Sequence, residues 1–233
     1  MENQNIRTEM LIGSDGLEKL KKSRVAIFGV GGVGGYVVEA LARAGVADIT
    51  LVDSDEVSIS NINRQIIATH DSVGRYKCDV MRERILSINP DAKVSVYNIY
   101  FSEETKDNFD FSSYNYIIDA IDSLSSKIEL ILLAKNTDTP IISAMGAGNK
   151  LDPTKFEVSD ISKTTVCPLA RATRIALRKK GINHLKVVYS KEEPVIKNNV
   201  DEQGNRVPAS ISFVPSVMGL IIAGEVIKDI IST

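Results

Sequence analysis

Arg24-Val25-Ala26-Ile27-Phe28-Gly29-Val30-Gly31-Gly32-Val33-Gly34 is the stretch that decides the fold. A short apolar run enters a cluster of glycines, and positions 34–44 then carry apolar residues at helical spacing until Gly45 stops them. The reading is strand, turn, helix. Outward from it, Ile49-Thr50-Leu51-Val52 forms a second strand ending in Asp53, and 93–101, 116–118 and 140–142 read as further short strands separated by helical segments. Alternating strands and helices predict an α/β, Rossmann-like, mostly parallel sheet with helices on both faces.

After Gly148 the texture changes. Positions 155–161 and 185–190 read as strands flanking a helix over 168–180, which predicts a short antiparallel C-terminal extension. The polar, turn-rich stretch 198–208 predicts a mobile loop. A last helix over 216–231 is apolar nearly all round and is expected to be buried, a subunit interface being one place for it. With no repeat or linker in the chain, the expectation is one adenylating domain over 1–233. Its nucleotide-binding core spans about 20–150, and the extension, loop and last helix span about 151–233.

Composition narrows the function classes. Apolar residues make up 43% and charged residues 25%, as in ordinary globular proteins, so no disordered class is needed. A net charge of -2 excludes a globally basic coat, so contact with a polyanion has to come from a local patch. Cys78 and Cys167 are the only cysteines, which excludes a disulfide framework and a four-cysteine zinc site within one chain. The polar first five residues and the lack of a bilayer-length apolar run predict a cytoplasmic protein with no membrane partner.

Gly29, Gly31, Gly32 and Gly34 stand where bare amides can approach phosphate at the positive end of a helix. Asp53, closing the second strand, can accept hydrogen bonds from ribose hydroxyls. These features alone leave a nicotinamide-dependent oxidoreductase open. The segment Asp53-Ser54-Asp55-Glu56-Val57-Ser58-Ile59-Ser60-Asn61-Ile62-Asn63-Arg64-Gln65 shifts the balance. With the Gly-Gly form of the turn, and with Gly74-Arg75-Tyr76-Lys77, Ile88-Asn89-Pro90 and Asp119-Ala120-Ile121-Asp122 following in order, it resembles the ubiquitin-activating-enzyme-like superfamily, whose members join a carboxylate to AMP.

Arg7-Thr8-Glu9 before Ile12-Gly13, Asp152-Pro153-Thr154, Asp160-Ile161-Ser162-Lys163-Thr164 and Phe213-Val214-Pro215-Ser216 are similar to the bacterial tRNA threonylcarbamoyladenosine dehydratases. The resemblance implies ATP and Mg2+, a tRNA substrate and a homodimer. By it, Arg64 and Lys77 meet the ATP phosphates, Asn61 and Gln65 assist in the nucleotide site, and Asp53 holds the ribose. Asp122 takes the magnesium with Asp55 beside it, and Arg7 reaches in from the neighbouring subunit. Two other readings share these residues: an adenylyltransferase that activates a ubiquitin-like or sulfur-carrier protein, and a scaffold that binds a sulfur-transfer protein partner. Sulfur-carrier activators commonly carry two Cys-x-x-Cys pairs, which this sequence lacks, so structural zinc is not expected.

Taken singly, a surface Arg or Lys is a solvated charge and a strand-ending Asp is a turn residue; the ordered set is what points to a site. Cys167 precedes Pro168 where thioester-forming relatives place a nucleophile, but a dehydration closed within the nucleoside needs no covalent intermediate, so a packing role is expected. Cys78 is expected to pack, and His70 and His184 show no metal-ligand spacing. On the helix after Pro168, Arg171, Arg174 and Arg178 share one arc opposite Leu169 and Ala176, with Lys179 and Lys180 at the end. That stripe suits tRNA phosphates or is a plain solvated face.

Overall fold

The computed structural model describes residues 4–196 and 207–233. Its elements run α1 (Ile6–Lys22), β1 (Arg24–Phe28), α2 (Gly34–Ala44), β2 (Asp48–Val52), α3 (Lys77–Ile88), β3 (Lys93–Tyr97), β4 (Tyr116–Asp119), α4 (Leu124–Asn136), β5 (Ile141–Ala144), β6 (Phe156–Asp160), α5 (Pro168–Lys179), β7 (Lys186–Ser190) and α6 (Phe213–Ser232). The seven strands form one sheet in the order β3-β2-β1-β4-β5-β7-β6. All neighbours pair in parallel except β6 with β7. The antiparallel character of the C-terminal part is therefore confined to β6, because β7 continues the parallel sheet beside β5.

Strand periodicity divides the core into two layers. Val25 and Ile27 of β1, Ile49 and Leu51 of β2, and Tyr116 and Ile118 of β4 face α2, α3 and α6. Ala26, Phe28, Val52 and Ile117 face α4, α5 and the phenylalanines of the connection from β3 to β4. There Phe28 packs edge-on against Phe101 and Phe109, at ring-centre distances of 4.9 and 5.3 Å. Strands flanked on both faces by helices bury both sets of side chains, which is why the runs read as continuously apolar.

Three elements depart from the sequence expectation. β3 ends at Tyr97 instead of 101, because Val52 is the last residue of β2 it can pair with and the Asp53 amide closes the ladder on the Tyr97 carbonyl. α6 begins at Phe213, since Pro215 lies in its first turn, where a missing N–H leaves nothing unpaired. It docks on the helix of the glycine turn through Gly219, where a Cβ would stand 2.4 Å from the Val33 carbonyl oxygen, and it leaves Leu220 exposed. α1 was not legible as a helix: its two pieces meet at Gly13, whose φ of 75° breaks the periodicity. The expected loop over 198–208 lies outside the described residues apart from Val207 and Pro208.

Candidate nucleotide-binding site

A cleft of about 700 Å³ opens at the carboxyl ends of β1, β2, β4 and β5, the edge where parallel sheets bind ligands at the point where strand order reverses. β1 sits at that point, with β2 on one side and β4 on the other. Gly29, Gly31, Gly32, Asp53, Asp55, Arg64, Gln65, Lys77 and Asp122 all line the cleft. The glycines answer to local geometry. Gly29 has φ 93°, and a Cβ there would lie 2.6 Å from the Ala120 carbonyl oxygen; a Cβ on Gly34 would lie 1.8 Å from the Gly29 oxygen. Strand-to-helix closure this tight admits no side chain at either position. Gly34 shapes the turn from behind, outside the cleft lining. Among the described residues, no acceptor meets the amides of Gly31, Gly32 and Val33, which is the donor set an α-helix N-terminus offers an anion.

Asp53 is fixed by two amides, accepting from Val30 N at 2.7 Å and from Asp55 N at 2.9 Å. Burial pushes its carboxyl above the ordinary aspartate range; the Lys77 cation and the two amides oppose that, and the Asp55 charge adds to it. Lys77, the first residue of α3, is buried, with Nζ 2.6 Å from Asp55 Oδ2 and 4.0 Å from Asp53 Oδ1. Arg64 donates from Nη1 to the Ser60 carbonyl at 2.9 Å and to Asn63 Oδ1 at 2.8 Å. Asn61 stands behind the lining. Its carbonyl accepts from Arg64 N and Gln65 N, and its Oδ1 accepts from Ser58 N, so it folds the turn that brings Arg64 and Gln65 to the cleft. Gln65 is buried and its Oε1 meets no donor among the described residues.

Asp122 is exposed at the cleft, two residues before α4. The loop carrying it rests on a buried pair that the sequence reading missed. Asp119 Oδ2 lies 2.7 Å from Lys127 Nζ and accepts from the Ser143 hydroxyl, while Asp119 Oδ1 accepts from Ile121 N at 3.1 Å. Lys127 also donates to Ser143 Oγ and to the Ala144 carbonyl. The one available signal was a lysine on the buried face of α4, alongside Leu130, Ile131 and Ala134. Ile99, Tyr100 and Phe101 form a further wall not foreseen, with the Tyr100 hydroxyl donating to Ser123 Oγ at 3.0 Å and accepting from Ser126 Oγ.

The far end of the cleft is built from Gly146 to Lys150 after β5 and from Cys167 to Leu169 at the start of α5. Cys167 is buried, and its Sγ lies 3.5 Å from where a Cβ on Gly146 would stand. Arg7 is exposed in the first turn of α1, outside the lining of its own chain's cleft. Cys78 is buried and its thiol is pushed far up by burial, as a packing cysteine. His70 is exposed, and His184 faces Asp160 at 3.3 Å. Of the arginine stripe, Arg171 and Arg178 are exposed, but Arg174 is spent internally, donating to the carbonyls of Thr164 at 3.0 Å and Ile161 at 3.3 Å. The buried face of α5 is Ala170, Thr173 and Leu177, so Arg174 lies at its margin and is drawn into the adjoining turn.

The fold and the cleft define an α/β protein of Rossmann-like topology, with a glycine turn, the cations Arg64 and Lys77 and the carboxylates Asp53, Asp55 and Asp122 gathered at the carboxyl edge of the sheet. The ThiF family profile matches residues 3–233, and the chain belongs to the ThiF family. It is 46% identical to a tRNA threonylcarbamoyladenosine dehydratase of Bacillus subtilis, over 99% of this chain and 96% of the relative. It is 40% identical to the Escherichia coli protein of that name, over 73% of this chain and 64% of the relative. A crystal structure of the E. coli tRNA N6-threonylcarbamoyladenosine dehydratase in complex with ATP superposes with a TM-score of 0.90 at 32% identity, covering 98% of this chain and 94% of that one. Among the described residues, no helix is long and apolar enough to cross a membrane.

Proposed function

We propose that the chain is an ATP-dependent tRNA threonylcarbamoyladenosine dehydratase. The observation that carries this reading is one cleft holding the glycine turn, Asp53, the cations Arg64 and Lys77 and the exposed Asp122, in a chain that aligns with such a dehydratase over 99% of its length.

A carboxylate resists acyl substitution because its oxygen leaves poorly. Attack of the threonyl carboxylate on the α-phosphate of ATP forms an acyl adenylate and releases pyrophosphate. A ureido atom of the same nucleoside then attacks the acyl carbon, AMP leaves and a proton is released, so that the nucleoside has lost one water. Both partners of the second step are held in one molecule, which gives high effective molarity without a protein nucleophile. Asp53 holds the ribose, the amides of Gly31, Gly32 and Val33 receive phosphate, and Arg64 and Lys77 neutralise the charge that shifts onto pyrophosphate. Asp122 fits Mg2+: it is an exposed carboxylate at the cleft, and this hard cation is commonly bound through one or two carboxylates together with substrate phosphates. Magnesium there supplies charge neutralisation at the triphosphate.

Arg7 belongs to a homodimer in this reading. It sits outside its own cleft, beside the exposed apolar residues Ile6, Met10 and Leu11 that a second copy would cover. A cytoplasmic setting follows from a tRNA substrate. The test is to compare nucleosides of tRNA from cells with and without the protein. Threonylcarbamoyladenosine one water lighter in the first and intact in the second is the expected result, and identical profiles reject the assignment.

A second reading, activation of a ubiquitin-like or sulfur-carrier protein, draws on Cys167 lining the cleft at the start of α5. Cys167→Ser separates the two: the dehydratase keeps most of its turnover, whereas an enzyme that carries its acyl or sulfur group on this thiol loses it.

A further inference from the structure

Lys150 lines the cleft without a role in the nucleotide site described above, and its surroundings are unusual. It is the last residue of the loop after β5 that walls the far end of the cleft, and only 5% of it is exposed. Among the described residues its Nζ makes one hydrogen bond, to the Glu192 backbone carbonyl at 2.7 Å, and it pairs with no carboxylate. The Glu192 carboxylate is committed elsewhere, since it accepts from Leu151 N and from Asp152 N, each at 2.9 Å. Burial draws the Lys150 ammonium below the ordinary lysine range, although Cys167, Glu192 and Glu193 act in the opposite direction. A buried ammonium with one neutral acceptor is costly, and an anion brought into the cleft relieves that cost.

The position is built and not incidental. Asn149, in the left-handed region at φ 59°, ties the loop to two other segments: its N donates to Ala209 O, its side-chain oxygen accepts from Ala209 N, and its carbonyl accepts from Val195 N. Gly148 lets Pro208 come close, since a Cβ there would lie 2.6 Å from Pro208 Cβ. The loop is therefore clamped at the residue before Lys150. The cations of the nucleotide site, Arg64 and Lys77, are suited to phosphate on the other side of the same cleft, which leaves the incoming carboxylate without a partner before it reacts.

We propose that Lys150 receives the carboxylate of the nucleoside substrate and orients it toward the nucleotide end of the cleft. This rests on the dehydratase reading and names the residue that would distinguish its substrate by charge. The ammonium screens the carboxylate from the triphosphate, two anions that otherwise repel each other on approach.

The test uses the full-length protein, Lys150→Met and Lys150→Gln, with the free threonylcarbamoyl nucleoside and its carboxamide analogue as probes, alongside turnover of modified tRNA. Wild type should bind the carboxylate at least tenfold tighter than the carboxamide. Both variants should lose that preference and raise KM for tRNA at least tenfold, while binding ATP as wild type does; retained ATP affinity shows that the fold is intact. Two variants of different size guard against one failing to fold. If either folded variant keeps the preference and the wild-type KM, Lys150 is not the carboxylate site, and the dehydratase reading stands. If wild type turns over no modified tRNA, the dehydratase reading falls and this assignment falls with it.

Discussion

The Lys77 ammonium lies 2.6 Å from an Asp55 carboxylate oxygen, yet the Lys77 side chain is 8% exposed and that of Asp55 65%. One partner of the pair is fixed and the other is free to turn into solvent. Asp53, also within 4.0 Å, cannot do so because two amides hold it. If Lys77 meets ATP phosphate, as proposed, Asp55 is therefore the partner that must yield. An ion pair with one solvated partner contributes roughly 0.2–1 kcal/mol. Asp55→Asn should therefore tighten ATP binding by up to about fivefold when magnesium is omitted. Calorimetry without metal tests this; unchanged or weaker binding removes Asp55 as a competitor and favours the place beside the metal.

Asp53 also makes a pH prediction. Its folded pKa is raised, mainly by burial, so the folded state binds this proton more tightly than the unfolded chain does. Its contribution to stability is fully present below the ordinary aspartate value and is lost as pH rises through the raised folded value. Subtracting the unfolding free energy of Asp53→Asn from that of wild type, pH by pH, isolates the effect. The difference should shift against wild type as pH rises across that window and level off above it. A difference that is flat with pH shows that Asp53 ionises as freely in the fold as out of it.

Much of this site was legible because its parts are local. The turn from Gly29 to Gly34 and the strand-ending Asp53 follow from apolar periodicity meeting glycine, and Arg64, Lys77 and Asp122 from a motif order that survives as sequence. What escaped depends on distant segments. Asp119 and Lys127 find each other only when α4 folds back along β4 and β5, and Lys150 is isolated only because Glu192 is taken by other amides. Arg174 looked like part of a surface stripe, since spacing on a helix cannot reveal that the turn at 161–164 offers it carbonyls.

The Asp119–Lys127 pair, with both side chains fully buried, should be costly to break from one side. Lys127→Met leaves the Asp119 charge with only the Ser143 hydroxyl and the Ile121 amide, and should destabilise the protein by roughly 3–5 kcal/mol. Adding Asp119→Asn should recover a large part of the loss, because the buried charge is then gone. Denaturant unfolding of the single and double variants measures both. Equal stability of Lys127→Met and wild type shows that water reaches Asp119.

Asp122 has the opposite character, being exposed at the cleft mouth. Asp122→Ala should leave the melting temperature within about 2 °C of wild type, as an exposed change away from packed features does. Turnover should fall at least a hundredfold, because triphosphate charge is no longer organised against the incoming carboxylate. Near-normal ATP consumption by the folded variant would take Asp122 out of the site.

The arginines of α5 divide into two kinds, and the division tests where tRNA docks. Arg174 donates to the carbonyls of Ile161 and Thr164, so Arg174→Gln should lower stability by about 1–3 kcal/mol, the scale of charged hydrogen bonds removed at a part-buried site. Its effect on tRNA should be small, since its guanidinium is already occupied. Arg171 and Arg178 are exposed, so replacing both by Gln should leave stability and ATP binding alone. If they meet RNA phosphates, tRNA affinity falls and the slope of log affinity against log salt becomes shallower by about one unit for each phosphate no longer neutralised. Filter binding across a salt series reads both quantities at once. A double variant with wild-type affinity and slope means that this face of α5 is ordinary solvated surface, and that the polyanion reaches the cleft over another side of the molecule.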